Sequence, residues 1–269
     1  MNWLYNFPDI VILLLFIGVT LIAMRVIHSI VHHYVKEHIP EEGHKLATHI
    51  HESIVILTSL ILTFSLVQVL DDTHSLEKVI SAEASQINNL DRLLTRFGDP
   101  TAEAIRPALH AYTKSIVEDE WPDLIKGYGS EITREKFIPV SQGVIKLKPH
   151  GEREQALYTS AINLTDQIAQ SRELRIETTE VKLPVVYWYV ILVAFFVKLL
   201  TSSLLERGKF SALVLGLQMT ALSAMLALVF IFDQPYQGQS GVKPGPLKRL
   251  IKVMDERHSE LPELLKHSG

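Results

Sequence analysis

Four runs of apolar side chains, separated by charged sequence, constrain this chain more than any other feature. They extend from Ile10 to Met24, Ile54 to Leu70, Val185 to Leu205 and Phe210 to Phe232, broken only by small or amide side chains and a single lysine, Lys198. A backbone in lipid must satisfy its own hydrogen bonds, and a helix needs about 20 residues to cross the hydrocarbon layer. The last two runs meet that length comfortably, and the first two lie nearer the lower limit. Aromatic residues mark where the runs meet the interface. Trp3 and Tyr5 precede the first, Tyr187, Trp188 and Tyr189 open the third, and Tyr236 follows the fourth. With an even number of crossings, these clusters fall on one membrane face, as interfacial aromatics should. Nothing before Arg25 is basic, so the first run lacks the n-region of a secretory signal and is expected to stay as an anchor.

The chain then divides into spans one and two with a His-rich connection (1–70), a soluble insert (71–184), a hairpin of spans three and four (185–233) and a polar C-terminal tail (234–269). In the insert, Leu76, Val79, Ile80, Ala84, Ile87, Leu90, Leu94 and Phe97 recur at spacings of three and four, which predicts a helix running without a break out of span two. Gly98, Asp99 and Pro100 end it, and a second helix carries Leu109, Tyr112 and Ile116. Turns are expected at Trp121-Pro122 and from Gly127 to Ser130, and a further long helix from Glu152 into span three. No alternation of period two is long enough to propose a strand. The fold class is therefore an all-α integral membrane protein with a helical insert between spans two and three.

Short motifs along this frame form a pattern. Glu83-Ala84 follows span two, then come Pro107 and Tyr112, Leu183-Pro184 precedes span three, and span four closes with Asp233-Gln-Pro235-Tyr-Gln-Gly238, Val242 and Pro244-Gly-Pro246-Leu. Over nearly its whole length the chain resembles the bacterial bestrophin-like family. The resemblance implies a membrane channel in which several protomers, classically five, surround a central pore and conduct anions. It also implies that the termini and the insert face the cytoplasm from a bacterial inner membrane. The count of basic residues agrees in sign with that orientation, although per residue the opposite face is at least as basic. Bestrophins bind calcium through an acidic cluster after span four. Here Asp233 stands alone among Gln234, Gln237 and Gln239, so no cofactor is expected.

Span two is the candidate pore helix. At 100° per residue, Thr58, Ser65, Gln68 and Asp72 share one side, and Glu52, Ser59 and Thr63 another. Either stripe suits an aqueous lining whose hydroxyls replace part of an ion's hydration shell, with Glu52 and Asp72 as acidic rings at the mouths. Either also suits packing between helices, the commoner service of Ser and Thr in membranes. Glu83, about two turns beyond the membrane edge, is a candidate vestibule residue. Lys198 is an intramembrane charge with three readings: a stem that snorkels to the head groups, a hydrogen bond to Gln218 across the hairpin folded about Arg207, or an ammonium in a water-filled path.

Seven histidines, His28, His32, His33, His38, His44, His49 and His51, lie between Arg25 and Ser53. His28, His32 and His33 suit pH sensing, because imidazole titrates near neutrality. They also suit a plain interfacial role. His28 and His32 have the i, i+4 spacing of a metal pair, but no acid between Arg25 and Val35 completes a site, and no metal is expected.

Other functions find little in the residues. No HExxH, phosphate-binding Gly loop or Gly-x-Ser-x-Gly elbow is present, so no enzyme is expected, and Glu118, Asp119, Glu120 and Asp123 read as a solvated helix end. A net charge of −4 without a basic stripe argues against nucleic acid. Partners are expected to be the bilayer, inorganic ions and further copies of the chain. The alternative is a non-conducting adaptor or sensor whose insert offers its apolar stripes to another protein. A transporter comes third, since no internal repeat or interrupted span is evident.

Overall fold

The computed structural model describes residues 2–34, 41–205 and 208–267. Most of those residues are helical, with no strand among them. A short 3-10 turn, Asn2–Asn6, leads to nine helices: α1 (Asp9–Tyr34), α2 (Glu41–Phe97), α3 (Pro100–Ser115), α4 (Trp121–Lys126), α5 (Glu131–Ile145), α6 (Glu152–Glu177), α7 (Val185–Leu205), α8 (Lys209–Phe232) and α9 (Gly245–His267). Four of them, α1, α2, α7 and α8, are long and apolar enough to cross a membrane. The chain separates into two compact units, Met1–Thr73 with Lys182–Gly241 and His74–Val181 with Val242–Gly269.

In the membrane unit, the lipid-soluble side chains of α1, α2, α7 and α8 build the core. Met24, Leu62, Val69, Ile191, Phe195, Met219 and Val229 sit at its centre. A smaller apolar cluster joins Leu4, Tyr5 and Ile12 to Phe230 and Ile231. Thr20 on α1 and Ser223 on α8 share a hydrogen bond of 2.9 Å, a polar link suited to a helix interface in lipid. The motif after span four is a clasp. Asp233 Oδ1 accepts the Leu183 N–H at 2.8 Å, tying the end of α8 to the start of α7. Tyr5 donates its hydroxyl to the Phe230 carbonyl at 2.8 Å and stacks on the Phe230 ring. Gly238 has φ 76° and lies against Tyr5, where a side chain would be strained whatever its size.

The second unit is built on one stripe of α2. Leu76, Ile80, Ile87, Leu90 and Leu94 are each no more than 1% exposed, and Leu109, Tyr112, Ile116, Val140, Val144, Ala161 and Ile168 are equally buried. Gly98, at φ 72°, ends α2, and Pro100 opens α3, whose first turn has no use for the N–H that proline lacks. A π turn, Ile116–Glu120, inserts an extra residue before α4.

Three sequence expectations change. The connection from Arg25 to Ser53 is helical through Tyr34 and again from Glu41, because polar side chains mark departure from hydrocarbon and not the end of a helix. His38 lies outside the described residues, as does Arg207 of the hairpin turn. Trp121-Pro122 is the first turn of α4 instead of a loop, with Pro in the position that helix starts tolerate. The C-terminal tail holds α9, whose Leu247, Leu250 and Met254 are buried.

Candidate functional site

Two faces of α2 differ sharply within the membrane unit. Thr58, Leu62, Ser65, Val69 and Thr73 fall at spacings of three and four and are all buried. The opposite side holds Ile56, Leu60, Phe64 and Val67, which are exposed, together with exposed Thr63 and Gln68 and half-buried Ser59. The two sequence stripes therefore part. Thr58 and Ser65 go to the packed face because the apolar residues at their spacing, Leu62 and Val69, draw that face against α7 and α8. Ser59 and Thr63 stay toward one edge of the open face, and exposed Gln68 lies at its other edge. Asp72, half-buried, accepts from Gln68 Nε2 at 3.0 Å.

Each span-two hydroxyl that bonds does so to its own helix. Thr58 donates to the Ile54 carbonyl at 2.6 Å, Ser59 to Ile56 at 2.9 Å and Thr63 to Ser59 at 2.8 Å. That habit lets a hydroxyl sit among apolar groups, and on an open face it leaves the oxygen able to accept from water. The Ser65 hydroxyl is buried without a partner among the described residues. Glu52 is exposed and lies 4.0 Å from His49.

Lys198 does not snorkel. It is 0% exposed, and its ammonium donates to Gln218 Oε1 at 2.6 Å while touching the ring of His51. His51 was undistinguished among the seven histidines of the sequence, yet it stands on the packed face, seven residues before Thr58. The i, i+7 relation to the Thr58, Leu62, Ser65 stripe was the signal available. His28 and His32 stack at 6.0 Å on α1, and exposed His33 meets Tyr34 edge to face. Among the described residues, no three His, Cys, Asp or Glu side chains converge on a metal position.

In the second unit, Glu83 is 0% exposed. Its carboxylate takes a bidentate grip from Arg175, at 2.8 and 3.1 Å, and faces the Tyr112 hydroxyl at 3.4 Å. Arg175 also donates to Glu120 at 2.9 Å, and Glu120 receives Arg172 as well. Glu120 ends the π turn and is buried, so this acid leaves the cluster of Glu118, Asp119 and Asp123. Burial opposes the Arg175 cation, and the two carboxylates overcome that opposition and raise its pKa. Burial and the neighbouring Glu83 push the Tyr112 phenol well above its ordinary value. Glu83 is thus inside a closed ion-pair network within this unit, and no vestibule surface is formed by its carboxylate there.

A polar-spotted helix with one open face, beside a hairpin and a post-hairpin clasp, matches a known sequence pattern. The Bestrophin-like domain model matches residues 15–247. The chain belongs to the Bestrophin-like family. Solved structures agree in fold. A bacterial bestrophin homolog from Klebsiella pneumoniae, in an isoleucine-to-threonine mutant, superposes with a TM-score of 0.63 at 14% identity over 92% of this chain and 98% of that one. A leucine-to-threonine mutant of the same homolog gives 0.62 at 14% identity, over 92% and 96%. A crystal structure titled only as a membrane protein gives 0.60 at 15% identity, over 92% and 96%. A comparison with curated proteins finds no match. Family membership supports an ion channel, and the four apolar helices make the protein an integral membrane protein.

Proposed function

We propose that this chain is one subunit of an oligomeric ion channel, most simply a pentamer, whose central path is lined by the open face of α2. The observation that carries the reading is the division of α2 in the membrane unit. One face is consumed by packing, and the other offers Ser59, Thr63 and Gln68 among uncovered apolar residues. A ring of identical subunits would bring those faces around one axis, where hydroxyls and amides can replace water on an ion and apolar rings can narrow the path. Thr58 and Ser65 would support the lining from behind instead of touching the ion.

Lys198 is turned toward His51 and Gln218, away from the open face, which leaves Glu52 toward one end of the path and the adjacent acids Asp71 and Asp72, the first exposed and the second half-buried, toward the other. We assign the termini and the insert to the cytoplasm and the protein to a bacterial inner membrane, as the family resemblance implies. The adaptor reading loses its main support, because the insert's apolar stripe at Leu76, Ile80, Ile87, Leu90 and Leu94 is spent in that unit's own core.

Reconstitution tests the proposal. Purified protein in liposomes should pass ions, and Thr63→Ala should alter that flux several-fold while Thr58→Ala affects it through stability alone. Absence of flux over a range of salts and pH would return the adaptor reading to first place.

A further inference from the structure

The membrane unit holds a polar cluster that lining a pore does not use. Lys198 on α7 is enclosed, and its ammonium contacts Gln218 on α8 and both ring nitrogens of His51 on α2, Nδ1 at 3.2 Å. The ring is also 3.3 Å from Thr201 Oγ1 through Nδ1 and 3.0 Å from Gln218 Oε1 through Nε2. Thr201 donates its own hydrogen to the Val197 carbonyl at 3.0 Å, so its oxygen is left to accept. That assigns a hydrogen to His51 Nδ1 and leaves Nε2 as the nitrogen shared with Lys198.

Two proton placements satisfy the same atoms. With the proton on Lys198, the ammonium donates to Nε2 and to Gln218. With it on His51, Nε2–H donates to Gln218 Oε1 or to the amine lone pair. In both, the cluster carries one positive charge. A second would set an ammonium against an imidazolium at hydrogen-bond distance, where like charges repel strongly.

Among the described residues, the one acid set against that repulsion is Glu52, and it is exposed. The charged groups acting on His51 are Lys198 and, on its own helix, Glu52, whose exposed carboxylate lies beside His49. Helix α7 contains no acid, and α8 has none and bears only Lys209 at its start. Helix α1 packs on both, and its register through Thr20 and Ser223 carries exposed Arg25 and half-buried His28 toward the depth of Gln218. Its one acid is Asp9, at the other end.

We propose that His51, Lys198 and Gln218 form a binding site for one shared proton inside the membrane unit, and that uptake of a second drives His51 from Lys198 and shifts α2 against α7 and α8. The effect on conduction rests on α2 being the pore helix; the site itself does not.

The test uses the full-length protein, wild type beside His51→Gln, Lys198→Met and Gln218→Glu, with melting temperature read in detergent and ion flux in liposomes from about pH 8 to about pH 5. The remaining histidines are common to all four proteins, so differences report this site. Wild type should lose at least about 3 °C relative to His51→Gln and to Lys198→Met on acidification. Gln218→Glu supplies a carboxylate and should move the loss to lower pH. A difference that stays flat with pH in both removal variants overturns the site. Should those two fail to fold, an unchanged acid profile in Gln218→Glu overturns it alone. Flux that tracks pH in wild type and not in the variants supports the coupling, and identical pH profiles of flux overturn it. Liposomes that pass no ions refute the channel reading and the coupling with it, while the melting arm still decides the proton site.

Discussion

The charges that matter most in this protein are buried ones, and each makes a separate demand on its neighbours. Glu83 and Arg175 are both wholly enclosed, so neutralising one strands the other. Glu83→Gln should cost about 3–5 kcal/mol, the range for breaking a buried pair. Thermal unfolding would then fall by about 10 °C. A change near zero would mean that Glu120 alone holds Arg175. Asp233 makes the opposite kind of demand. Burial lifts its carboxyl above the usual carboxylate range, against the pull of the Leu183 N–H and of Lys182. A folded pKa above the unfolded one means that the native state holds the proton more tightly, so ionisation subtracts stability at higher pH and that loss vanishes on acidification. Relative to Asp233→Asn, wild type should therefore gain melting temperature between about pH 7 and about pH 4. The sequence displayed both acids but not their fates. Glu83 was legible as a motif residue, and Asp233 as the end of span four. What closes around them comes from α6 and from the start of α7, too distant along the chain for spacing to reveal.

At the scale of the helix, periodicity was the most dependable signal. The stripe from Leu76 to Leu94 predicts α2 beyond the membrane, and the helix ends at Phe97 as Gly98 and Pro100 require. Gly98 is free of neighbours, so Gly98→Ala tests the backbone alone. At φ 72° it should cost about 1–2 kcal/mol, a drop of a few degrees in melting temperature. A neutral result would show that α2 can end without a left-handed residue. Two elements escaped the sequence reading for physical reasons. Helix α9 buries Leu247, Leu250 and Met254 from a segment rich in Lys, Arg and Glu, and overall polarity hid a narrow apolar stripe. The π turn at Ile116–Glu120 depends on what Glu120 meets once folded, Arg172 and Arg175, and local propensity carries no trace of it. On span two the hydroxyl stripes were visible, but which of them packs was decided by Leu62 and Val69 meeting residues of α7 and α8.

For the assembled molecule, the claim is that copies of α2 surround water. Glu52 and Asp72 set the expected sign of selectivity, since rings of carboxylates raise the local cation concentration at both ends. Reversal potentials under a salt gradient should favour cations, and Asp72→Asn should reduce that preference several-fold; anion preference unaffected by either acid would discard these mouths. A central path also needs several copies, so the protein in mild detergent should migrate as a ring of subunits and not as a monomer. Because the chain has no cysteine, one experiment reaches the lining itself. Thr63→Cys and Ser65→Cys are reconstituted separately and treated with a water-soluble, charged thiol reagent while flux is followed. The open face of α2 predicts fast modification and altered flux for Thr63→Cys and neither for Ser65→Cys. An unreactive Thr63→Cys, or modification that leaves flux untouched, would contradict a pore lined by this helix.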